Sequence, residues 1–235
     1  MKIEFLYPNQ CSLFGDSGNI KYLKQCLPDA EFINTEFHDV PAFASGKVDM
    51  IYMGASTENN QEKVIKHLIP YREQLKNAMD SGNVMLFTGN AQEVLFKHIE
   101  NEDGTKVDGL GLLDFHAKRR LFNRYNSLIL AKFMEHDLIG FKTQFTMVYG
   151  DNSECSFAKV ERGIGINEES KLDGIHVNNF IGTSIIGPIL VMNPYFTEYL
   201  MGLLGVENPS CAFREDTIKA YNQRLHEFQT CAKLH

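Results

Sequence analysis

Short apolar segments that alternate with helical patterns constrain the fold more than any other feature of this sequence. The segments Ile3–Tyr7, Val48–Met53 and Val84–Phe87 have the length and composition of buried strands. Between the second and the third, apolar residues recur at three- and four-residue spacing over 64–79, which predicts a long helix in which Pro70 marks a kink or a boundary. Buried strands separated by helices are typical of a parallel sheet covered on both faces. The sequence therefore predicts an α/β fold with three layers and a mostly parallel central sheet.

The remaining elements are predicted from weaker patterns. Asn193-Pro194 is a typical helix start, with Asn as the cap and Pro at the first helical position. No repeat and no linker-like stretch interrupts the chain, so a single domain over 1–235 is expected. Further helices are predicted over 20–27, 91–97 and 213–228, and further strands over 31–37, 128–133, 145–149, 156–160 and 177–186.

Composition excludes several classes of function. The 235 residues are 43% hydrophobic, which suffices for a core, and the net charge of -7 is the opposite of a typical nucleic-acid-binding surface. No run approaches the roughly 20 apolar residues that cross a bilayer, so no membrane insertion is expected. The chain has 5 cysteines, none in a CxxC pair, and its histidines lack paired spacing. We therefore expect no disulfide framework, metal site or other cofactor, and a cytoplasmic location.

A strand–turn–helix over 84–92 is the strongest local motif. A side chain at such an elbow projects to the carboxyl edge of the sheet, and the following helix offers backbone N–H groups to an anion. Nucleophilic enzymes place Ser or Cys there, whereas the elbow residue here is Thr88, whose hydroxyl needs a neighbouring base before it can attack. From spacing alone, a nucleophile site and a plain tight turn after a buried strand both remain open.

Several segments, in order along the chain, carry the motifs of one family. They are Leu6-Tyr7-Pro8 with Phe14–Asn19 (LYP…YGDxGN in the family), Met53–Gln61 (GGGxDxxQ), Leu86–Gln92 (AICGGYQ), Gly140-Phe141 (GFENH) and Gly182–Pro188 (GTYLHGP), followed by Asn193-Pro194. Together they resemble class I glutamine amidotransferase-like domains of the cobyric acid synthase type, and among these the small amidotransferase subunits of lipid II isoglutaminyl synthases. The resemblance covers most of the chain and implies the flavodoxin-like fold of class I glutamine amidotransferases.

Departures from these motifs bear directly on activity. In the family, a Cys at the elbow attacks the side-chain amide of glutamine, and a His in the last motif activates it. These positions correspond to Thr88 and Ile186, so no functional catalytic residue is expected. The glycine-rich loop carries Ala55 and Ser56 in place of two glycines, and the GFENH motif reads differently over 142–144. The resemblance therefore implies vestigial nucleophile and base positions and an altered oxyanion hole.

The resemblance also assigns the remaining candidate residues. Asp16 is either a retained acid of the site or a turn-forming residue that caps the next helix. The basic cluster over 118–124 corresponds to a region where relatives bind the α-carboxylate of glutamine through an arginine, assigned here to Arg120, with a solvated charge run as the alternative. Cys11, in the first loop of the edge, is expected to be a small buried thiol rather than a replacement nucleophile. The expected substrate-binding residues are Asn19, Gly54, Ala55, Gly89, Gln92 and Arg120.

Two functions follow as hypotheses. The first is a catalytically degenerate amidotransferase-like protein that binds a glutamine-like small ligand or a partner, which the resemblance implies is a Mur-ligase-like synthetase. The second is an active glutaminase or amidotransferase that supplies ammonia to a Mur-ligase-like or cobyric acid synthase-type synthetase, using an unrecognised nucleophile or new chemistry at Thr88. Whether the chain is an enzyme therefore stays open at this point.

Overall fold

The computed structural model describes residues 1–230, so Cys231 lies outside the described part. The strands are β1 (Lys2–Leu6), β2 (Glu31–Thr35), β3 (Met50–Met53), β4 (Val84–Thr88), β5 (His98–Glu100), β6 (Lys106–Asp108), β7 (His116–Arg119), β8 (Tyr125–Phe133), β9 (His136–Gln144), β10 (Thr146–Tyr149), β11 (Ala158–Arg162), β12 (Leu172–Asp173), β13 (Ile175–Val177) and β14 (Phe180–Thr183). The α-helices are α1 (Asp16–Cys26), α2 (Ala42–Ser45), α3 (Glu58–Leu68), α4 (Arg72–Asp80), α5 (Ile189–Met192), α6 (Pro194–Leu203) and α7 (Arg214–Thr230).

A six-stranded sheet forms the centre of the fold. Its order is β13-β14-β4-β3-β1-β2, and every neighbouring pair is parallel except β13 and β14. The three segments predicted as buried strands form β1, β3 and β4, which lie next to one another. The prediction of a mostly parallel central sheet is confirmed.

Successive residues of the central strands pack into two different cores. In β3, Ile51 and Met53 join a cluster with residues of α3 and α4, whereas Met50 and Tyr52 join a cluster with residues of α1, α5 and α6. This alternation follows from the two-residue period of a strand. Helices therefore cover both faces of the sheet, as the predicted three-layer arrangement requires.

The long predicted helix is divided at the expected position. The chain forms α3, then a 3₁₀ turn over Ile69–Tyr71, and then α4. Pro70 lies in that turn, and its missing N–H cannot continue an α-helical hydrogen-bond ladder.

Two further four-stranded sheets are formed by strands between residues 98 and 173. Their orders are β10-β7-β5-β6 and β12-β11-β8-β9. The segments predicted as strands over 128–133, 145–149 and 156–160 correspond to β8, β10 and β11, whereas β5, β6, β7, β9 and β12 were not predicted. These strands are short, or mix polar and apolar residues without strict alternation, so their patterns are weak.

Several predicted boundaries are wrong. The single strand predicted over 177–186 is a hairpin of β13 and β14, because the chain turns at Asn178, whose φ of 52° is left-handed. The helix predicted over 91–97 is a 3₁₀ helix over Gly89–Leu95. The first helix begins at Asp16 rather than at Ile20, and the strand predicted over 31–37 ends at Thr35.

Helix α6 begins at Pro194 as predicted, but Asn193 does not cap it through its side chain. The Asn193 amide instead pairs with the backbone of Ile139 in β9: Oδ1 accepts the N–H of Ile139, and Nδ2 donates to its carbonyl, both at 2.8 Å. The same Nδ2 donates to the carbonyl of Ile189 at 2.8 Å. The side chain therefore fixes α6 to a neighbouring sheet.

The last predicted helix is α7, which carries the buried residues Tyr221 and Phe228. Phe213 precedes the helix and is exposed, so it does not share their buried face. Within residues 1–230, no helix is both long enough and apolar enough to cross a membrane.

Candidate functional site

A cavity of about 310 Å³ opens at the carboxyl edge of the central sheet. The loops after β1, β3 and β4 all border it, as expected for parallel strands that end at one edge. Further walls come from residues 143–146, where β9 leads into β10, and from Ser184 and Ile186 after β14. The three loops therefore share one edge of the sheet. The lining residues discussed below are Ala55, Gly89, Glu93, Arg124, Gln144 and Ile186.

Thr88 is the last residue of β4 and is fully buried. Its backbone is extended, with φ −106° and ψ 148°, and the left-handed conformation of the elbow falls on Gly89, at φ 60°. Thr88 Oγ1 donates a hydrogen bond to Asp16 Oδ1 at 2.8 Å. It is Gly89, not Thr88, that lines the cavity. The hydroxyl is therefore bound to a carboxyl inside the protein.

Asp16 accepts hydrogen bonds from four donors. Oδ1 accepts from Asn19 Nδ2 at 3.0 Å, from the Tyr52 hydroxyl at 2.9 Å and from Thr88, while Oδ2 accepts from the backbone N–H of Ala55 at 2.6 Å. Asp16 is fully buried, and burial raises the pKa of its carboxyl to about 6 although all four hydrogen bonds favour the charged form. Asp16 thus joins the loops after β1, β3 and β4.

Asn19 and Tyr52 complete this buried network. Asn19 Nδ2 also donates to the Tyr52 hydroxyl at 3.1 Å, and its Oδ1 accepts the backbone N–H of Leu190 at 2.9 Å. Tyr52 was not among the predicted site residues. The available signal was a hydroxyl-bearing residue inside an otherwise apolar strand, because a buried Tyr hydroxyl normally has a hydrogen-bond partner.

The loop after β3 has its backbone N–H groups already engaged. An added Cβ at Gly54 would lie 2.4 Å from the carbonyl oxygen of Cys11, which explains why only glycine fits there. The N–H of Ala55 donates to Asp16. The N–H of Ser56 donates to Asn90 Oδ1 at 2.9 Å, and Asn90 Nδ2 donates to the carbonyl of Ser56 at 2.9 Å. Side chains of the protein therefore occupy the two amides that follow Gly54.

Ile186 lines the cavity next to the elbow. Its backbone forms both hydrogen bonds of a bridge with Phe141, at 3.0 and 3.3 Å. An added Cβ at Gly89 would lie 3.7 Å from Ile186 Cγ2 and 2.7 Å from the Cβ of Ala55. The segments that contain Thr88 and Ile186 thus meet, and an isoleucine methyl and an alanine methyl face the elbow glycine.

The motif glycines explain how these segments fit together. An added Cβ at Gly187 would lie 1.8 Å from Phe141 Cε1, and one at Gly18 would lie 3.0 Å from Pro188 Cγ. Gly187 also has a left-handed φ of 96°. The opening, GFENH-like and GTYLHGP-like motifs are therefore in direct contact at this edge.

Gln92 is buried and donates from Nε2 to Ser184 Oγ at 3.0 Å, which ties the turn after β4 to the segment after β14. Ser184 lines the cavity. Gln92 therefore does not line the cavity itself but holds Ser184, which does.

The structure separates two arginines of the basic cluster. Arg120 Nη1 pairs with Glu168 Oε2 at 3.1 Å, and its Nη2 lies 3.4 Å from the Tyr149 hydroxyl, away from the cavity lining. Arg124 lines the cavity instead, with its guanidinium 4.1 Å from the ring centroid of Phe145, another lining residue. Spacing could not distinguish them, because both lie in the same basic cluster.

Glu93 is a cavity residue that the sequence analysis missed. It is 2% exposed, Oε2 accepts from Gln61 Nε2 at 2.8 Å, and Oε1 accepts from the Thr146 hydroxyl. Burial raises the pKa of its carboxyl to about 7. The signal was available: an acidic residue inside a 3₁₀ turn that directly follows a buried strand at the binding edge.

Cys11 is buried, as expected, and burial raises the pKa of its thiol to about 12. A thiolate is the nucleophilic form of cysteine, so this thiol is poorly suited to attack a substrate.

Comparison with known proteins agrees with this geometry. A model of the CobB/CobQ-like glutamine amidotransferase domain matches residues 2–193. The chain belongs to this family.

Over most of its length, this chain is similar to two GatD subunits of lipid II isoglutaminyl synthase (glutamine-hydrolyzing). The Staphylococcus aureus protein is 28% identical over 195 residues, covering 82% of this chain and 79% of the relative. The Streptococcus pneumoniae protein is 25% identical over 199 residues, covering 82% and 76%. A crystal structure of a glutamine amidotransferase superposes with a TM-score of 0.54 at 12% identity, covering 86% of this chain and 99% of that one, which supports the fold.

Proposed function

We propose that this protein is a catalytically degenerate member of its family that acts as a binding or partner subunit. The observation that carries the proposal is the state of the two positions where the family's nucleophile and base would stand. Thr88 is buried with its hydroxyl bound to Asp16, and Ile186 has no group that accepts a proton. Amide hydrolysis through a covalent intermediate needs a nucleophile with an adjacent base at the substrate.

The surrounding groups support the same proposal. The backbone amides of Ala55 and Ser56, which could otherwise stabilise an oxyanion, donate to Asp16 and Asn90. Cys11 is buried and its thiol pKa is high. A cavity nevertheless persists at the edge, and we infer that it holds a small glutamine-like ligand or its analogue.

The Thr88–Asp16 contact is also the observation that favours an active enzyme. A carboxylate 2.8 Å from a hydroxyl is placed to take its proton, so Thr88 with Asp16 as base is the second candidate. Against it, Thr88 has no exposed surface and neither residue lines the cavity.

A synthetase partner belongs to the same proposal. The curated relatives are subunits of lipid II isoglutaminyl synthase, so we expect this chain to dock on a Mur-ligase-like synthetase. We also place it in the cytoplasm, where thiols stay reduced; the four described cysteines are free.

Ammonia release from glutamine tests the catalytic part of the proposal. The purified protein, alone and with a co-purified synthetase, is expected to release no ammonia above a protein-free blank. An electrophilic glutamine analogue should leave its intact mass unchanged. Release that is lost in Thr88→Ala and Asp16→Asn, but kept in the exposed control Thr105→Ala, would establish the second candidate instead.

Co-expression tests the partner. We expect the chain to co-elute in size-exclusion chromatography with a Mur-ligase-like synthetase from the same organism. If every such synthetase elutes separately, the partner part of the proposal is wrong, whatever the ammonia assay shows.

A further inference from the structure

An exposed aromatic side chain lies at the tip of the turn between β7 and β8. In this turn, residues 120–123, the N–H of Asn123 donates to the carbonyl of Arg120 at 3.1 Å, which places Leu121 and Phe122 at the two central positions. Phe122 is 92% exposed and Leu121 is 45% exposed. Small and polar residues dominate such positions, so two large apolar residues there contribute neither to the turn geometry nor to the core.

The residues on either side of the tip hold the turn in place. The N–H of Arg120 donates to the carbonyl of Phe145 at 2.5 Å, and its guanidinium pairs with Glu168 at 3.1 Å. After the turn, the guanidinium of Arg124 lies 4.1 Å from the ring centroid of Phe145. Because the backbone is already ordered, little conformational entropy is lost when the tip binds a partner. Phe122 is therefore suited to be an anchor at an interface.

The charges at the base of the turn indicate what such a partner carries. Arg120 is neutralised by Glu168, whereas Arg124 is exposed and forms no salt bridge among residues 1–230. The chain as a whole has a net charge of -7, so this guanidinium is a local exception to an acidic molecule. A carboxylate on the partner would form a charge-assisted hydrogen bond with it.

We propose that this turn is the docking anchor for the synthetase partner, with Phe122 inserted into an apolar pocket of the synthetase and Arg124 paired with a carboxylate beside that pocket. This inference rests on the proposed function, because it assumes that the chain is a partner subunit. Aromatic residues and arginines are enriched among the few residues that dominate binding at protein interfaces. Leu121 adds apolar area next to the anchor.

Two other occupants fit the turn less well. A second copy of the chain in a two-fold contact would bring two identical turns together, so Arg120 and Arg124 would face their own counterparts. An anionic lipid surface would repel a chain with a net charge of -7, and two apolar side chains on one turn bury little area in a bilayer.

The affinity of the full chain for the Mur-ligase-like synthetase tests the anchor. Biolayer interferometry on the immobilised synthetase should show that Phe122→Ser raises the Kd at least about 10-fold. The matched control is Phe213→Ser, which removes a phenylalanine that is 68% exposed just before α7 and should change the Kd by less than about 2-fold. A wild-type Kd for Phe122→Ser, or equal losses in the two variants, would overturn the inference.

Salt dependence tests the charged part of the contact. The Kd of the wild type should rise between about 0.05 and 0.5 M NaCl, because salt screens the pairing of Arg124 with a carboxylate. Arg124→Gln should bind more weakly at low salt and respond less to salt. If Arg124→Gln matches the wild type across the whole range, the carboxylate part of the inference is wrong.

Photocrosslinking locates the contact independently of affinity. The phenylalanine analogue p-benzoylphenylalanine in place of Phe122 should crosslink to the synthetase under ultraviolet light, whereas the same analogue in place of Phe213 should not. A crosslink from position 122 to a second copy of the chain instead would overturn the inference. So would sedimentation with phosphatidylglycerol vesicles that is lost in Phe122→Ser while synthetase binding is unchanged.

The wild-type chain separates this inference from the proposed function. A complex that forms with the synthetase and is insensitive to Phe122→Ser overturns this inference alone. If the wild type binds no Mur-ligase-like synthetase, the partner part of the proposed function is wrong and this inference fails with it.

Discussion

The Thr88 hydroxyl and the Asp16 carboxyl are joined by a 2.8 Å hydrogen bond that connects the end of β4 to the first residue of α1. The two residues are 72 positions apart in the chain, and both are fully buried. The contact gives Thr88 a direct effect on stability, so any test of its chemistry must also measure folding.

Replacing Thr88 by Val should destabilise the fold by about 1–3 kcal/mol, because valine keeps the shape and removes one donor from the buried Asp16 carboxyl. Thr88→Ser keeps the donor and should lose less. Urea denaturation followed by circular dichroism measures both. Equal stability of Thr88→Val and the wild type would show that the hydrogen bond contributes nothing.

Replacing Gly89 by Ala should destabilise the fold by about 1–3 kcal/mol. The added methyl would lie 2.7 Å from the Cβ of Ala55, and φ at Gly89 is 60°. The double variant Ala55→Gly with Gly89→Ala removes the steric contact and should recover part of the loss, leaving the backbone strain. A double-mutant cycle of unfolding free energies measures this coupling, and additive losses would contradict it.

Replacing Lys142 by Met should cost about 3–5 kcal/mol, because it leaves a buried carboxylate without its partner. Lys142 Nζ lies 2.5 Å from Asp173 Oδ1, and both side chains are 0% exposed. The matched control is Lys132→Met, which breaks a pair with Asp137 at 2.5 Å whose lysine is 41% exposed, and it should cost under about 1 kcal/mol. Similar losses for the two variants would refute the distinction.

The stability difference between the wild type and Glu93→Gln should depend on pH. Burial raises the pKa of Glu93 from 4.5 to about 7, and Glu58 contributes in the same direction. The hydrogen bonds from Thr146 and Gln61 and the charge of Arg119 oppose this rise. The folded state therefore binds this proton more tightly than the unfolded state, and the resulting stability is fully present below pH 4.5 and lost as pH rises through 7.

Between pH 8 and pH 4.5, the wild type should gain on the order of 3 kcal/mol relative to Glu93→Gln. Denaturation curves across this range measure the change. The comparison between pH 8.5 and pH 9.5, well above both pKa values, serves as the control and should show a constant difference. A constant difference over the whole range would mean that Glu93 titrates normally.

The parallel sheet and its binding edge could be predicted because their signals are local. Predicted strands such as Val84–Phe87 are apolar at every position, and the apolar residues before this strand recur with a clear helical period. Parallel strands then bring their following loops to one edge without further information. The family motifs also placed Ile186 near the elbow. Strand β14 lies beside β4 and Thr183 pairs with Thr88, so the residues that follow these two strands lie close together.

The directions of individual side chains could not be predicted. The lack of space for a side chain at Gly89 depends on the close approach of Ala55, which comes from a distant loop. Asn193 was expected to cap a helix but pairs with Ile139, because a neighbouring strand offers it both a donor and an acceptor. The position of Glu93 after β4 was a usable signal, but its hydrogen-bond partners Gln61 and Thr146 are far away in the chain and could not be predicted.

The close packing of Gly187 against Phe141 and of Gly18 against Pro188 affects how the family motifs are interpreted. Steric exclusion fixes Gly187, and a tight contact with Pro188 favours glycine at position 18. Both effects operate whether or not a substrate is turned over. A chain can therefore lose its reactive groups and still keep the family's residues at these packing positions. In this fold, the motifs therefore indicate how the edge of the sheet is assembled. The chemistry of the site must be inferred from the residues that these close contacts leave free to vary.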